Sequence, residues 1–201
     1  MKICFGSNNQ HKLKEISAIF KQHFADKLEL VYPPDLLDYK LDPEETGVTL
    51  NENALIKAQE FFDATRLVTF ADDTGLEIAA LGGKPGVFSA RFAGEDCSDA
   101  ENRKKVLRLM KEVPSGERYA RFRTVICFYD GKDMEYIEGR CEGKIITREL
   151  GENGFGYDSL FVPEGEDKTF AQMTDKEKNK ISHRSIAVQN FIKFLKEKYD
   201  K

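Results

Sequence analysis

Residues 2–6, KICFG, read as a short apolar strand, and only a few polar residues separate them from a stretch in which Leu13, Ile16, Phe20 and Phe24 recur at helical spacing. A strand opening directly into a helix of about His11 to Phe24 is a βα unit. The pattern then repeats. Leu28 to Tyr32 reads as a second strand, and Thr49 with Glu52 fits a capping box for a helix of about 50–64 that carries Leu50, Ala54, Ala58 and Phe61 on one face. Leu67 to Ala71 is a third apolar run. Strand, helix, strand, helix, strand is the opening of an α/β sheet.

Farther along, Gly82, Gly83, Pro85 and Gly86 punctuate the chain, and Ser98 with Glu101 marks a second capping box for a helix of about 99–112. Arg118 to Asp130 alternates, with Ala120, Phe122, Thr124, Ile126 and Phe128 on one face. Asp130-Gly131 signals a hairpin into Met134 to Cys141, which predicts an antiparallel ribbon appended to the α/β core. A short strand near 160–162 and a final helix of about 185–199 complete the reading. The expectation is one domain over residues 1–201, with two lobes and a cleft between them.

Charge narrows the function. Of 201 residues, 31 are basic and 35 acidic, and the net charge of −4 gives no overall attraction to nucleic acid or an anionic membrane, so any phosphate site must be local. No apolar run approaches the roughly 20 residues that span a bilayer. Cys4, Cys97, Cys127 and Cys141 form no C-x-x-C pair, and MKICFGSNN lacks a secretion signal. Reduced thiols in the cytoplasm are expected.

Four constellations bear on chemistry. SNNQHK, residues 7–12, lies where the first strand meets its helix; amides at a helix N-terminus favour anions, and Ser7, Asn9 and Lys12 add donors and charge. The same residues also suit a simple helix cap with a solvated lysine. FADDTGLEI, residues 70–78, ends an apolar strand with two adjacent carboxylates and a Thr-Gly turn. Burying such a pair requires a compensating cation or hydrogen-bond donors, and positive charge nearby is expected. With Glu44 and Glu45 from the long connection PPDLLDYKLDPEETG, Asp72 and Asp73 suit a hard cation such as Mg2+, which takes one or two carboxylates plus phosphate oxygens, although Glu44 and Glu45 by themselves better suit helix capping or solvated loop charge. Lys57, Lys178, His183 and Arg184 form a cationic and polar group, with a solvated helix face as the alternative for Lys178 and its neighbours. GFGYD, residues 154–158, places Phe155 between glycines, where it could stack on a base or pack as an ordinary turn.

Taken together, the segments S-N-N-x-x-K at 7–12, EETGVTLNENALIKA at 44–58, ADDTGLE at 71–77, ALGGKPGVFSARFAGED at 80–96, GFGYDSLF at 154–161, KTFAQMT at 168–174 and EKNKISHR at 177–184 resemble the inosine triphosphate pyrophosphatase family. These Ham1-like enzymes hydrolyse noncanonical purine nucleoside triphosphates. The resemblance covers nearly the whole chain. Asn8 stands where the family usually has Gly, Thr74 for a common Ser, Asn153 for a Gly and Ser159 for a Pro. None of these changes removes a charged group.

The resemblance implies a mixed twisted sheet flanked by helices, typically in a homodimer, and Mg2+-dependent cleavage of ITP, dITP or XTP to the monophosphate and pyrophosphate. Ser7, Asn8, Asn9, Gln10, His11 and Lys12 would hold the phosphates, with Lys57 assisting. Glu45 and Asp73 would organise the metal, Asp73 would accept the proton of the attacking water, Asp72 would support it and Thr74 would touch substrate. Base selection would fall to Phe155, Gly156, Tyr157 and Asp158, with Lys178, His183 and Arg184 opposite. Two other readings compete: a related Maf-like pyrophosphatase with different base preference, and a catalytically silent nucleotide-binding regulator.

Overall fold

The first strand is apolar because it is covered on both faces: Ile3, Cys4 and Phe5 are fully buried in the computed structural model, which describes residues 2–24 and 28–199 apart from the side chains of residues 11 and 22. This strand, β1 (Lys2–Phe5), leads into α1 (Gln10–Phe24) and then β2 (Glu29–Val31). Next come α2 (Leu50–Thr65), β3 (Thr69–Ile78), the two-residue β4 (Pro85–Gly86) and α3 (Asp99–Leu109). The long strands β5 (Tyr119–Tyr129) and β6 (Met134–Ile145) precede β7 (Phe161–Pro163), α4 (Asp175–Ile181) and α5 (His183–Tyr199).

One mixed sheet results, ordered β2-β1-β3-β5-β6-β7, with β4 paired to β3. β1 runs parallel to β2 (Ile3 opposite Leu30) and to β3 (Phe5 opposite Phe70). The first crossover leads to one side of β1 and β3 lies on the other, so the order reverses between β1 and β3. Ligands bind outside the carboxyl ends of strands at such a point.

The chain divides into two compact units. Residues 1–73, 124–139 and 184–201 form the first, and residues 74–123 and 140–183 the second. Each has its own core. In the first, Phe70 stacks on Phe5 and Phe20 at 5.0 and 5.5 Å and meets Phe191 at 4.6 Å. Truncating so central a ring to Ala would cost about 3–5 kcal/mol. The second core gathers Leu76, Ile78, Val106, Met110, Phe122, Leu160, Phe161 and Phe170.

Caps explain where the helices start. The Ser98 hydroxyl accepts from Glu101 N and Glu101 Oε2 accepts from Ser98 N, the full reciprocal box. At α2 only half of the expected box forms: Thr49 accepts from Glu52 N, but Glu52 reaches one residue farther back, to Val48 N at 2.7 Å. At its far end α3 is tied down by Arg118, which is buried and donates to the carbonyls of Met110, Val113, Ile145 and Ile146.

Three expectations change. FADDTGLEI contains no turn, because β3 runs unbroken from Thr69 to Ile78 and the two aspartates lie inside the strand. Leu76 and Ile78 are fully buried, and that burial carries the strand past the polar residues. The 119–145 ribbon is not an appendage, since β5 sits next to β3 within the sheet. The segment around Lys178 forms α4, yet Lys178 itself is buried rather than solvated.

Candidate active site

The loop from β1 to α1 is built by its own side chains. Gly6 N–H bonds Phe70 O, the buried Ser7 Oγ accepts from Asn9 N, and Asn9 Oδ1 caps α1 by accepting from Lys12 N. A methyl group on Gly6 would lie 2.6 Å from the Phe61 ring, so only glycine fits there. Asn8 donates to Leu41 O at 2.7 Å and to Asp42 Oδ1, drawing in the long polar connection, and Gln10 donates to Tyr32 Oη. The His11 side chain lies outside the described residues. First-turn amides of a helix lack a partner within the helix, and Asn9 supplies one for Lys12.

Asp72 and Asp73 emerge two and three residues past the last β1–β3 pairing, and their surroundings differ sharply. Asp72 Oδ2 lies 3.0 Å from Lys12 Nζ and 3.6 Å from Arg184 Nε, and Arg184 Nη1 also pairs with Glu15. Burial pushes the Asp72 pKa up, but Lys12 and Arg184 outweigh it and hold the carboxyl down at about 2. Asp73 lies 3.5 Å from Lys57 Nζ and accepts from Asn53 Nδ2 at 3.3 Å. Here burial is the larger effect: it raises the carboxyl above the ordinary range, Lys57 only partly opposes it, and Glu45 adds to it.

Lys57 joins the two acidic segments. Its Nζ contacts Glu45 Oε1 at 2.6 Å as well as Asp73, and although burial disfavours its charge, Asp73 and Glu45 restore it and raise the pKa. Lys12 is the reverse case, where burial outweighs the help from Asp72 and lowers the pKa. Lys12, Lys57 and Arg184 thus face Glu15, Glu45, Asp72 and Asp73 within the first unit.

The donors fit a hard divalent cation. Glu45 and Asp73 already converge on one ammonium, so their oxygens define a place where positive charge is favoured. Among the described residues no group of three or more His, Cys, Asp or Glu is arranged to hold a metal alone.

In the second unit, the loop of residues 154–158 is fixed around Asp158. Its Oδ2 accepts from Phe155 N at 3.0 Å and from the Lys178 ammonium at 2.9 Å. Gly154 has φ +75°, and a methyl group there would lie 2.1 Å from that oxygen. Lys178 Nζ lies 5.1 Å from the Phe155 ring centre, within cation–π range. Tyr157 is buried with its hydroxyl donating to Ser89 O. His183 is buried and stacks on Phe122 at 4.5 Å. Thr74 follows Asp73 in β3.

A family model described as the Ham1 family matches residues 3–194. The chain belongs to the Ham1 family. Its relatives include a protein of Elusimicrobium minutum named dITP/XTP pyrophosphatase, 44% identical over 198 residues that cover 98% of this chain and 100% of the relative. A Porphyromonas gingivalis protein of the same name is 44% identical over 96% of this chain and 97% of its own length. The structure of the Staphylococcus aureus Ham1 protein superposes with a TM-score of 0.87 at 36% identity, covering 98% of this chain and 100% of that one.

Within this Ham1 chain, the structure brings Ser7 to Lys12, Glu45, Lys57, Asp72 and Asp73 together in the first unit, and Arg184 joins them through Asp72 and Glu15. Phe155, Gly156, Tyr157, Asp158, Lys178 and His183 belong to the second. Sequence reasoning missed Asn53 and Glu15. Asn53 is fully buried on the same α2 face as Leu50, Ala54 and Lys57, and a polar residue in register with an apolar stripe is a readable sign of a buried role. Nothing in sequence points to Glu15.

Proposed function

We propose that this chain is a nucleoside triphosphate pyrophosphohydrolase that converts ITP, dITP and XTP to monophosphates and pyrophosphate, removing deaminated purines from the nucleotide pool. The observation that carries the reading is the unequal pair on β3. Asp72 lies against Lys12 and Arg184, whereas its neighbour Asp73 lies against Lys57 and Asn53, and this asymmetry, with the Asp72 pKa pushed down and the Asp73 pKa up, supports different roles for the two groups.

Asp72 stays ionised and fixes Lys12 and Arg184. Asp73 orients a water for in-line attack on the α-phosphorus and takes its proton as the bond to the bridging oxygen breaks and pyrophosphate departs. Lys57 and Lys12, with the amides of residues 7–12, balance the charge growing on the leaving group. Glu45 and Asp73 would hold Mg2+, which when bound neutralises phosphate charge as a Lewis acid. Phe155 stacks on the base, and Gly156, Tyr157 and Asp158 shape its loop. Lys178 and His183 supply donors that suit a 6-oxo group and oppose the 6-amino group of adenine, a mismatch of about 1–3 kcal/mol. Arg184, with Nε against Asp72 and Nη1 on Glu15, steadies the acidic side of the first unit. Thr74 touches substrate. The whole chain acts as one domain, in a cytoplasmic homodimer.

A product assay over ITP, dITP, XTP, GTP and ATP, with and without Mg2+, tests this. Pyrophosphate and monophosphate should appear from the deaminated substrates only when the ion is present. Equal turnover of ATP and ITP, or release of orthophosphate in place of pyrophosphate, would sink the reading.

A further inference from the structure

The loop of residues 154–159 is gripped from outside by a helix to which no role has been given. Asp99 and Arg103 lie one turn apart on α3 and so share a face. Asp99 Oδ2 accepts from Gly156 N at 2.8 Å, and Arg103 Nη1 donates to Gly156 O at 2.9 Å, so one residue of the loop is held at both of its backbone polar groups. The Arg103 guanidinium is itself aimed by Glu149, whose Oε2 accepts from Arg103 Nε at 2.6 Å and from Ser159 Oγ at 3.2 Å. Arg118 anchors the other end of the helix through its carbonyl contacts.

Gly156 sits at φ +60° with nothing within 4 Å of where a methyl group would be. Backbone conformation, not space, demands glycine there. A left-handed residue joined to Phe155 on one side and Tyr157 on the other sets the direction in which both side chains leave the loop. Asp158 fixes Phe155 from within and Ser89 fixes Tyr157, while the residue between them takes its orientation from α3.

We propose that Asp99 and Arg103 are positioning residues for base selection: by holding both ends of Gly156 they keep the Phe155 ring where a purine can stack. The inference rests on the reading of this loop as the base-selecting element. Removing either charged partner leaves phosphate binding and the attacking water untouched and weakens only the grip on the base.

The test compares Asp99→Leu and Arg103→Met with Asp99→Asn, whose amide oxygen can still accept from Gly156 N–H. Each disruptive variant should raise KM for ITP about ten-fold and erode its preference over ATP, with kcat changed less than about two-fold, and Asp99→Asn should recover most of the loss. The double variant should lose little more than the worse single one, because both side chains act on one residue. Hydrogen exchange over residues 154–159 supplies a readout independent of turnover, and protection there should fall about ten-fold in the disruptive variants. Unchanged protection, or lower thermal stability and kcat with KM and preference intact, overturns the proposal. A wild-type protein that releases no pyrophosphate from any purine triphosphate refutes the functional reading instead, and the exchange experiment still decides whether α3 holds the loop.

Discussion

The first unit and the second hold their polar residues in place by different means. Around Asp72 and Asp73 the first unit opposes charge with charge: Lys12, Lys57 and Arg184 against Glu15, Glu45 and the two aspartates. Around Gly156 the second unit uses directed hydrogen bonds to main-chain atoms, with Lys178–Asp158 as its buried ion pair. Charges act over distance and tolerate a ligand that changes shape, as a polyphosphate does during cleavage. Hydrogen bonds fix direction, which the base-selecting role proposed for this loop requires. The contrast predicts that damage to the first unit is read in turnover and stability, and damage to the second in selectivity.

Asp73→Asn should show the largest effect, a drop of about a thousand-fold in kcat with ITP. Its melting temperature should not fall, since the buried Asp73 carboxylate is disfavoured by its surroundings. Wild-type turnover would end the distinction between the two aspartates. Lys12→Met comes next. It deprives the buried Asp72 of its nearer cation and should lower unfolding free energy by about 3 kcal/mol, measured by urea titration at neutral pH. An unchanged urea midpoint would mean that Arg184 alone suffices.

The third effect is pH dependence. Asp72 is held at about 2, below its ordinary 3.8, so its contribution is complete above about pH 4 and is lost as pH falls toward 2. It amounts to about 2 kcal/mol. Urea titrations of the metal-free protein at pH 6 and pH 3 should show this slope in the wild type and a shallower one in Asp72→Asn; parallel slopes would assign the acid sensitivity elsewhere. The smallest effect is in the second unit. His183→Ala should erode the preference for ITP over ATP about ten-fold while leaving turnover of ITP within about three-fold. An unchanged ratio would move base selection to other donors.

How much of this was legible in sequence depended on whether the signal was local. Helices α1, α2 and α3 were placed to within a few residues because Thr49, Ser98 and the apolar spacing are local features. The extent of β3 was not, because adjacent carboxylates look like a strand end until Lys12 and Arg184, distant in sequence, are seen to neutralise Asp72. In sequence, His183 and Arg184 fall into one polar group. On a helix, consecutive side chains point about 100° apart, and these two end on Phe122 and on Glu15 respectively. Asp99 and Arg103 could be read as the start of α3, but their targets are the amide and carbonyl of Gly156, and no residue type announces which backbone group it will meet.

Lys57 has one more consequence. Two carboxylates from separate segments, Glu45 before α2 and Asp73 on β3, would repel each other in an otherwise empty site, yet a resident ammonium already stands near both. The polypeptide carries its own reserve counterion. Charge balance between these two segments is thereby supplied by the fold itself, unlike small zinc domains that collapse without their ion.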